Sequence, residues 1–171
     1  MAGQPPKKTQ PAPVASATPG GLDGTDLAIL AALVEDGRMT NAALAARVGV
    51  AESTCTYRVR ALRQSGVIES INARLNLAAL GHPINAIIKV RLGSHSRDLV
   101  RALYDNLVKV PGALSVLHMA GDDDFLLHVA VASPEKLRDL ILEHVTVHPV
   151  VRQTETQLVF EVRDGCGVLK Q

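Results

Sequence analysis

Residues 44–65 read LAARVGVAESTCTYRVRALRQS and predict two short helices joined by a tight turn. Gly49 ends the first helix, because glycine readily adopts the left-handed conformation that terminates helices. Ala45 lies four residues earlier, and its small side chain allows the two helices to approach each other closely. The second helix carries an apolar stripe at helical spacing, formed by Cys55, Val59 and Leu62. This arrangement is typical of a helix-turn-helix.

The flanking residues extend this pattern in both directions. Asp23 is a suitable cap for a preceding helix, whose apolar positions Leu27, Leu30 and Val34 repeat until Gly37. Thr40 is placed to cap the helix that contains residue 44. Residues 67–70 and 72–75 alternate like two short strands and predict a wing. We therefore expect a winged helix-turn-helix over residues 22–76, followed by a linker over 77–83.

Residues 84–163 alternate between strand and helix periodicities. The predicted elements are a strand around 88–92, a helix ending before Pro111, strands over 113–120 and 125–132, a helix starting at Ser133, and a strand over 154–162. The order βαββαβ is the ferredoxin-like (ACT-like) motif, so the fold class is α+β. The strand FLLHVAV (125–131) is apolar at nearly every position, which indicates burial of both sheet faces. We expect a second copy of the sheet to cover the face without helices, giving a two-fold dimer.

The composition indicates the class of protein and the cellular compartment that we expect. The 171 residues are 47% hydrophobic and 20% charged, with a net charge of +1, which is typical of a globular protein. We expect no membrane span, because no apolar run reaches the roughly 18 residues that one needs. Residues 1–21, rich in proline, predict a disordered tail without a secretory signal, and residues 164–171 a C-terminal tail. The widely spaced Cys55 and Cys166 suit a reducing, cytoplasmic compartment.

The third predicted helix carries the strongest functional signal. Residues 47–74 contain five Arg and two Glu, a net charge of +3 that leaves −2 for the rest of the chain. We expect double-stranded DNA as the partner, with the phosphate backbone bound by Arg58, Arg60, Arg63 and Arg74. Base edges would be approached by Ser53, Thr54 and Tyr57. The alternative is a solvated helix face used for protein contact.

Other polar clusters give weaker predictions. Histidines 144 and 148 have helical spacing but fall on an apolar stripe, which favours core or interface residues, and histidines 118 and 128 lack a third ligand. We therefore expect no metal and no cofactor. Residues 121–124, Gly-Asp-Asp-Asp, form either a solvated turn or a ligand loop, since glycine exposes an N–H to a carboxylate and aspartate can hold an ammonium group. A free amino acid fits that description. Without a nucleophile or phosphate-binding motif, the chain is not expected to be an enzyme.

Five segments together resemble the leucine-responsive regulatory protein/AsnC (feast/famine) family of prokaryotic transcription regulators. They are LDGTDLAIL (22–30), EDGR (35–38), the helix-turn-helix segment from Leu44 to Leu62, GVI (66–68) with LN (75–76), and GDDDF (121–125). The resemblance covers about residues 22–163. It implies an N-terminal winged helix, a C-terminal ligand domain, dimers formed through the sheets, and often octamers of four dimers.

The same resemblance implies a small-molecule effector, commonly an amino acid, near the hairpin loop. Carried over by position, its contacts would be Gly121, Asp122 and Asp124, with Thr154 and Thr156 in the last strand. Asp123 and Gln157 stand where the family usually has apolar or aromatic residues, which leaves room for a polar or basic amino acid, or for no effector. The implied protein is cytoplasmic, prokaryotic and nucleoid-associated.

Two other functions stay open on the sequence. One is a tetrapyrrole enzyme similar to sirohaem decarboxylases, which share this fold, with a role for His118, His128 or His144. The other is an architectural DNA-binding protein without an effector.

Overall fold

The computed structural model describes residues 21–93 and 96–169, which divide into two compact units. One unit comprises residues 21–73 together with 165–169, and the other runs from Arg74 to Asp164. Residues 165–169 of the predicted C-terminal tail thus belong to the first unit, and the predicted linker over 77–83 lies in the second. The predicted disordered tail lies outside the described residues, apart from its last residue. No helix within the described ranges is long and apolar enough to span a membrane.

The first unit contains three helices, which are α1 (Gly24–Glu35), α2 (Asn41–Val48) and α3 (Glu52–Gln64). Asp23 caps α1 in a reciprocal capping box with Asp26, in which each carboxylate accepts a hydrogen bond from the other residue's backbone N–H. Thr40 caps α2, as its spacing predicts. Gly49 follows with φ of +78°, the left-handed conformation that ends α2 and allows α3 to start three residues later. These local signals predicted all three helices.

The core of the first unit differs from the prediction in α1. Ile29 is fully buried, whereas Leu27 is 43% and Val34 66% exposed. The predicted stripe of α1 is therefore displaced, because several apolar spacings fit this alanine- and leucine-rich helix and contact with α2 and α3 selects one of them. The buried residues are Ile29, Leu30, Ala32, Leu44, Ala45, Cys55, Val59 and Leu62. Burial raises the pKa of the Cys55 thiol.

The wing segment contains no strand, so the prediction of two strands over 67–70 and 72–75 is wrong. The backbone N–H of Ile68 donates to the carbonyl of Leu62 at 3.0 Å, and the Ile68 side chain packs against the helical core. Ile71 lies close to Gly37, where an added methyl group would meet its Cγ2 at 2.6 Å. The side chains of Ile68 and Ile71 hold this segment against the helices without strand pairing. Their contacts explain why apolar residues recur in the segment although it forms no strand.

The second unit is a four-stranded antiparallel sheet with helices. Its elements are β1 (Ile84–Leu92), α4 (Arg97–Leu107), β2 (Ala113–His118), β3 (Phe125–Val131), α5 (Pro134–Leu140), a π-helical turn (Ile141–Val145) and β4 (Val151–Val159). The strand order is β2-β3-β1-β4, which confirms the predicted βαββαβ motif. Ser133 caps α5 and Pro134 occupies its first turn, as predicted.

The two faces of the sheet differ in burial. One face joins α4 and α5 in a single core, which includes Ala86, Ile88, Val90, Leu103, Leu107, Phe125, Leu127, Val129, Leu137 and Leu140. The alternate residues of β1 and β3 point to the other face, where Ile87 pairs with His128 and both are only half-buried. This second face therefore keeps an apolar centre that the core of the unit does not include.

Candidate functional site

The exposed side of α3 carries most of the side chains predicted to contact DNA. Cys55, Val59 and Leu62 are buried, so the helix presents its polar side to solvent. The predicted contacts that are exposed there are Ser53, Thr54, Tyr57, Arg60 and Arg63, with Tyr57 at 74% exposure. Polar hydroxyls and two guanidinium groups on one open helix face are the groups that base edges and phosphates require.

Arg58 lies in a different environment from its neighbours on α3. Its Nη1 donates to Asp23 Oδ2 at 2.8 Å and to Asp26 Oδ1 at 2.9 Å, and its side chain is only 29% exposed. The carboxylates of Asp26 and Asp23 raise the pKa of Arg58. The pKa of Asp23 is lowered, first by the backbone N–H of Asp26 and then by Arg58. Arg58 thus ties α3 to the start of α1.

Two further arginines of the predicted basic segment are paired within their own units. Arg47 forms an ion pair with Glu35, and Arg74 forms one with Asp164. Arg74 belongs to the second unit, so the structure does not group it with α3. Arg60 and Arg63 have no ion-pair partner among the described residues. Fewer arginines are therefore unpaired, among the described residues, than the sequence predicts for binding phosphates.

A cavity of about 240 Å³ lies beside the hairpin between β2 and β3. Its lining consists of Arg91, Leu92, Gly121, Asp122, Asp124, Arg152 and Gln153. Three of the five residues predicted for the effector site, Gly121, Asp122 and Asp124, are brought together here. Gly121 has φ of +139°, a conformation that L-residues rarely adopt, so the loop depends on glycine at this position.

The acidic hairpin is fixed to the end of β1 by its carboxylates. Asp124 Oδ2 accepts a hydrogen bond from the Leu92 backbone N–H at 2.7 Å, and the Asp124 N–H donates to the carbonyl of Val90. Asp123 Oδ1 accepts from Arg91 Nε at 2.7 Å, and Asp123 Oδ2 lies 3.3 Å from Lys89 Nζ. Arg91, more than Lys89, lowers the pKa of Asp123. Asp122 is the carboxylate of the three that is exposed to solvent.

The two predicted threonines lie away from this cavity lining. Thr154 pairs with Val90 and Thr156 with Ile88, whose side chains face the helices. The pairing of β1 with β4 shifts register between Arg91 and Leu92, and this leaves Arg152 as the extra residue. A bulge of this kind redirects side chains, and Arg152 lines the cavity. Arg91, Arg152 and Gln153 were missed because only the strand order places the ends of β1 and β4 near the hairpin.

The three histidines considered for a tetrapyrrole, His118, His128 and His144, do not lie at one site. His118 pairs with Phe125 on the helix-bearing face, whereas His128 pairs with Ser115 and lies on the opposite face. His144 lies in the π-helical turn, so the helical spacing predicted for His144 and His148 does not hold. Within the described ranges, no group of three or more His, Cys, Asp or Glu side chains is suited to hold a metal ion.

Comparison with known proteins matches both units. A winged helix-turn-helix DNA-binding family matches residues 22–69, and the Lrp/AsnC ligand binding domain matches residues 85–164. The transcriptional regulator AldR of Mycolicibacterium smegmatis is 40% identical over 148 residues, which cover 86% of each chain. This chain belongs to the Lrp/AsnC family of transcription regulators. The leucine-responsive regulatory protein of Rhizobium meliloti is 34% identical over 86% of this chain and 95% of that one.

Solved structures of Lrp/AsnC proteins share the fold. The crystal structure of the Mycobacterium tuberculosis AldR superposes with a TM-score of 0.75 at 34% identity, covering 87% of this chain and 98% of that one. The regulator NMB0573 of Neisseria meningitidis, solved in complex with L-Met, gives a TM-score of 0.78 at 26% identity, covering 85% and 94%. The α+β architecture and its division into a DNA-binding and a ligand-binding domain are those of Lrp/AsnC regulators.

Proposed function

We propose that this transcription regulator recognises its operator through the exposed side of α3. Ser53, Thr54 and Tyr57 approach base edges in the major groove, and Arg60 and Arg63, on one flank of these side chains, bind phosphates. The observation that carries this assignment is that these two guanidinium groups are exposed and lack an ion pair among the described residues. Arg58 takes a structural role, because two carboxylates of α1 already hold it.

The effector is a free amino acid bound in the hairpin cavity. The cavity volume of about 240 Å³ is below the range of roughly 300–1,000 Å³ that is usual for drug-sized ligands, which favours a smaller molecule. The exposed carboxylate of Asp122 suits the ammonium group, and the guanidinium of Arg152 suits the carboxylate. Gly121 and Asp124 shape the loop. The L-Met complex of the Neisseria relative supports an amino acid as the class of ligand.

The functional assembly is a homodimer formed through the sheet face opposite the helices. The half-buried Ile87 and Leu126 lie on that face. His128 Nε2 is also there, shielded from solvent and without a hydrogen-bond partner among the described residues. Buried polar atoms generally have a partner, and a second copy of the sheet would supply one. The dimers associate further into octamers of four dimers. The protein acts on nucleoid DNA in the prokaryotic cytoplasm. It has no enzymatic activity.

A gel shift on the protein's own upstream region, repeated with each common amino acid, tests this proposal. We expect one amino acid to change the DNA affinity or the size of the complex. Isothermal titration calorimetry with that amino acid should give a dissociation constant at least tenfold weaker for Arg152→Gln and for Asp122→Asn. Arg163→Gln is the matched control, because Arg163 is 81% exposed and pairs only with nearby Glu161 among the described residues.

Three outcomes would contradict parts of the proposal. Specific DNA binding that no amino acid alters would favour an architectural DNA-binding protein. An unchanged dissociation constant in Arg152→Gln and Asp122→Asn would move the effector away from the hairpin cavity. A protein that binds no DNA and purifies with a Soret absorbance would favour the tetrapyrrole enzyme.

A further inference from the structure

The second unit contains another cavity, of about 430 Å³, between α4 and the end of β2. It is lined by Arg97, Val100, Arg101, Tyr104 and His118. None of these residues lines the hairpin cavity, so the two cavities share no lining residue. The volume falls within the usual range of small-molecule sites, roughly 300–1,000 Å³.

The lining is built on rigid elements. Arg97, Arg101 and Tyr104 are spaced by four and three residues on α4, so their side chains share one face of the helix. His118 is the last residue of β2, and its ring stacks on Phe125 with centroids 4.6 Å apart. The Tyr104 ring also stacks on Phe125, at 5.8 Å. Phe125 is fully buried, so the core fixes both aromatic walls of the cavity.

The charge of this cavity distinguishes it from the others. Two guanidinium groups line it, no carboxylate does, and neither guanidinium has an ion-pair partner in the described part of the chain. The hairpin cavity combines arginines with Asp122 and Asp124. A third cavity, of about 370 Å³, combines Lys136 with Asp139 and Glu143. The α4 cavity alone among these three therefore selects for an anion without also offering a site for a cation.

The residue types define the anion more closely. Guanidinium groups one helical turn apart can bind carboxylate or phosphate oxygens in a bidentate manner. The flat rings of Tyr104 and His118 offer stacking surface for an aromatic or heterocyclic body, with Val100 as an apolar contact. We propose that the α4 cavity is a second small-molecule site, which binds a planar ring compound that carries a phosphate or carboxylate group.

Titration calorimetry of the full-length protein with four probes tests this proposal. Adenosine 5′-monophosphate and phthalate each combine a flat ring with an anionic group, whereas ribose 5-phosphate and succinate carry the anion alone. We expect at least one ring-bearing probe to bind at least tenfold more tightly than its ringless counterpart, and the better of the two identifies the anionic group. Arg101→Gln and Arg97→Gln should each weaken that binding at least tenfold. Arg138→Gln, an exposed arginine outside the lining, should not.

The chain offers a reporter for the location of the probe. It has two tyrosines and no tryptophan, so labelling with 3-fluorotyrosine gives two ¹⁹F resonances, which the Tyr57→Phe variant assigns. Binding in the α4 cavity should shift the Tyr104 resonance and leave Tyr57 unchanged. The proposal is overturned if none of the four probes binds at millimolar concentration, if binding survives both arginine substitutions, or if the Tyr104 resonance does not move. Since no DNA and no amino acid is present, these outcomes are independent of the regulator function proposed above.

Discussion

Replacing Arg60 by glutamine should affect DNA binding, whereas replacing Arg58 should affect stability, although the two residues are only two positions apart on α3. Arg60 is exposed and lacks an ion pair among the described residues, whereas Arg58 donates to Asp23 and Asp26 of the same unit. Arg60→Gln should therefore weaken DNA binding and leave folding unchanged. Arg58→Gln should lower the melting temperature of the first unit and leave the salt dependence of DNA binding unchanged.

The magnitude follows from counterion release. The slope of log affinity against log salt concentration changes by about 0.9 for each phosphate contact, so a dimer that loses one contact per head loses about 1.8. Four phosphate-binding arginines per head, as the sequence predicts, would give a slope of roughly −7 for a dimer. With Arg58 and Arg74 engaged elsewhere, the contribution of Arg60 and Arg63 is about −3.6.

Fluorescence anisotropy with a labelled operator at several salt concentrations between 50 and 200 mM provides the assay. Salt weakens the DNA affinity of both proteins over that fourfold range. The fold-loss of affinity should be about ten times smaller for Arg60→Gln than for the natural sequence. Thermal melts of the same samples report the folding of each variant. If Arg58→Gln reduces the slope as much as Arg60→Gln does, Arg58 contacts DNA and its assignment to a structural role is incorrect.

Three predictions concern stability. Asp123 has a pKa below its ordinary value because of two cationic neighbours, so its contribution to stability is present at neutral pH and is lost as the pH falls below 3.8 toward the lowered pKa. Thermal melts should show Asp123→Asn destabilised at about pH 7, and its difference from the natural protein should shrink as the pH falls below 3.8. Leu107 is fully buried, and Leu107→Ala should cost about 2–5 kcal/mol of unfolding free energy in urea titrations. Gly112 has φ of +85°, and an added methyl group would lie 2.6 Å from the Ala130 carbonyl oxygen, so Gly112→Ala should cost at least about 1–3 kcal/mol. Gly24→Ala is its control and should change stability by less than about 0.5 kcal/mol, since nothing lies within 4 Å; equal losses in both variants would contradict the steric argument.

The helices could be predicted from the sequence because the signals that start and end them are local. A cap such as Thr40 or a helix-ending glycine such as Gly49 acts on backbone groups within four residues, so its effect is visible in the sequence alone. The two strands of the wing were predicted incorrectly, because the same apolar alternation arises from a strand or from side chains that pack against a helix. Ile68 and Ile71 are anchored in this way.

Some residues of the candidate sites could be predicted from local sequence patterns, and others only from tertiary contacts. The polar side of α3 could be predicted because helical periodicity separates it from the buried stripe of the same helix. The engagement of Arg58 could not, because its partners lie 32 and 35 residues earlier in the chain. The hairpin sequence indicated a possible ligand loop, and the family resemblance implied Asp122 and Asp124 as its contacts, but Arg152 enters the same cavity only through the pairing of β4 with β1 and the bulge in that pairing.

The sequence by itself determined the helices of the first unit, the βαββαβ order of the second, and the residue types available for DNA and for an amino acid. Capping, periodicity and turn chemistry depend on neighbours along the chain, which a sequence displays directly. Tertiary structure alone decided which arginines stay available, which face of the sheet lacks a core, and which side chains enclose the cavity lined by Arg97 and His118. These properties depend on contacts between residues distant in sequence, and such contacts form only when the elements pack together.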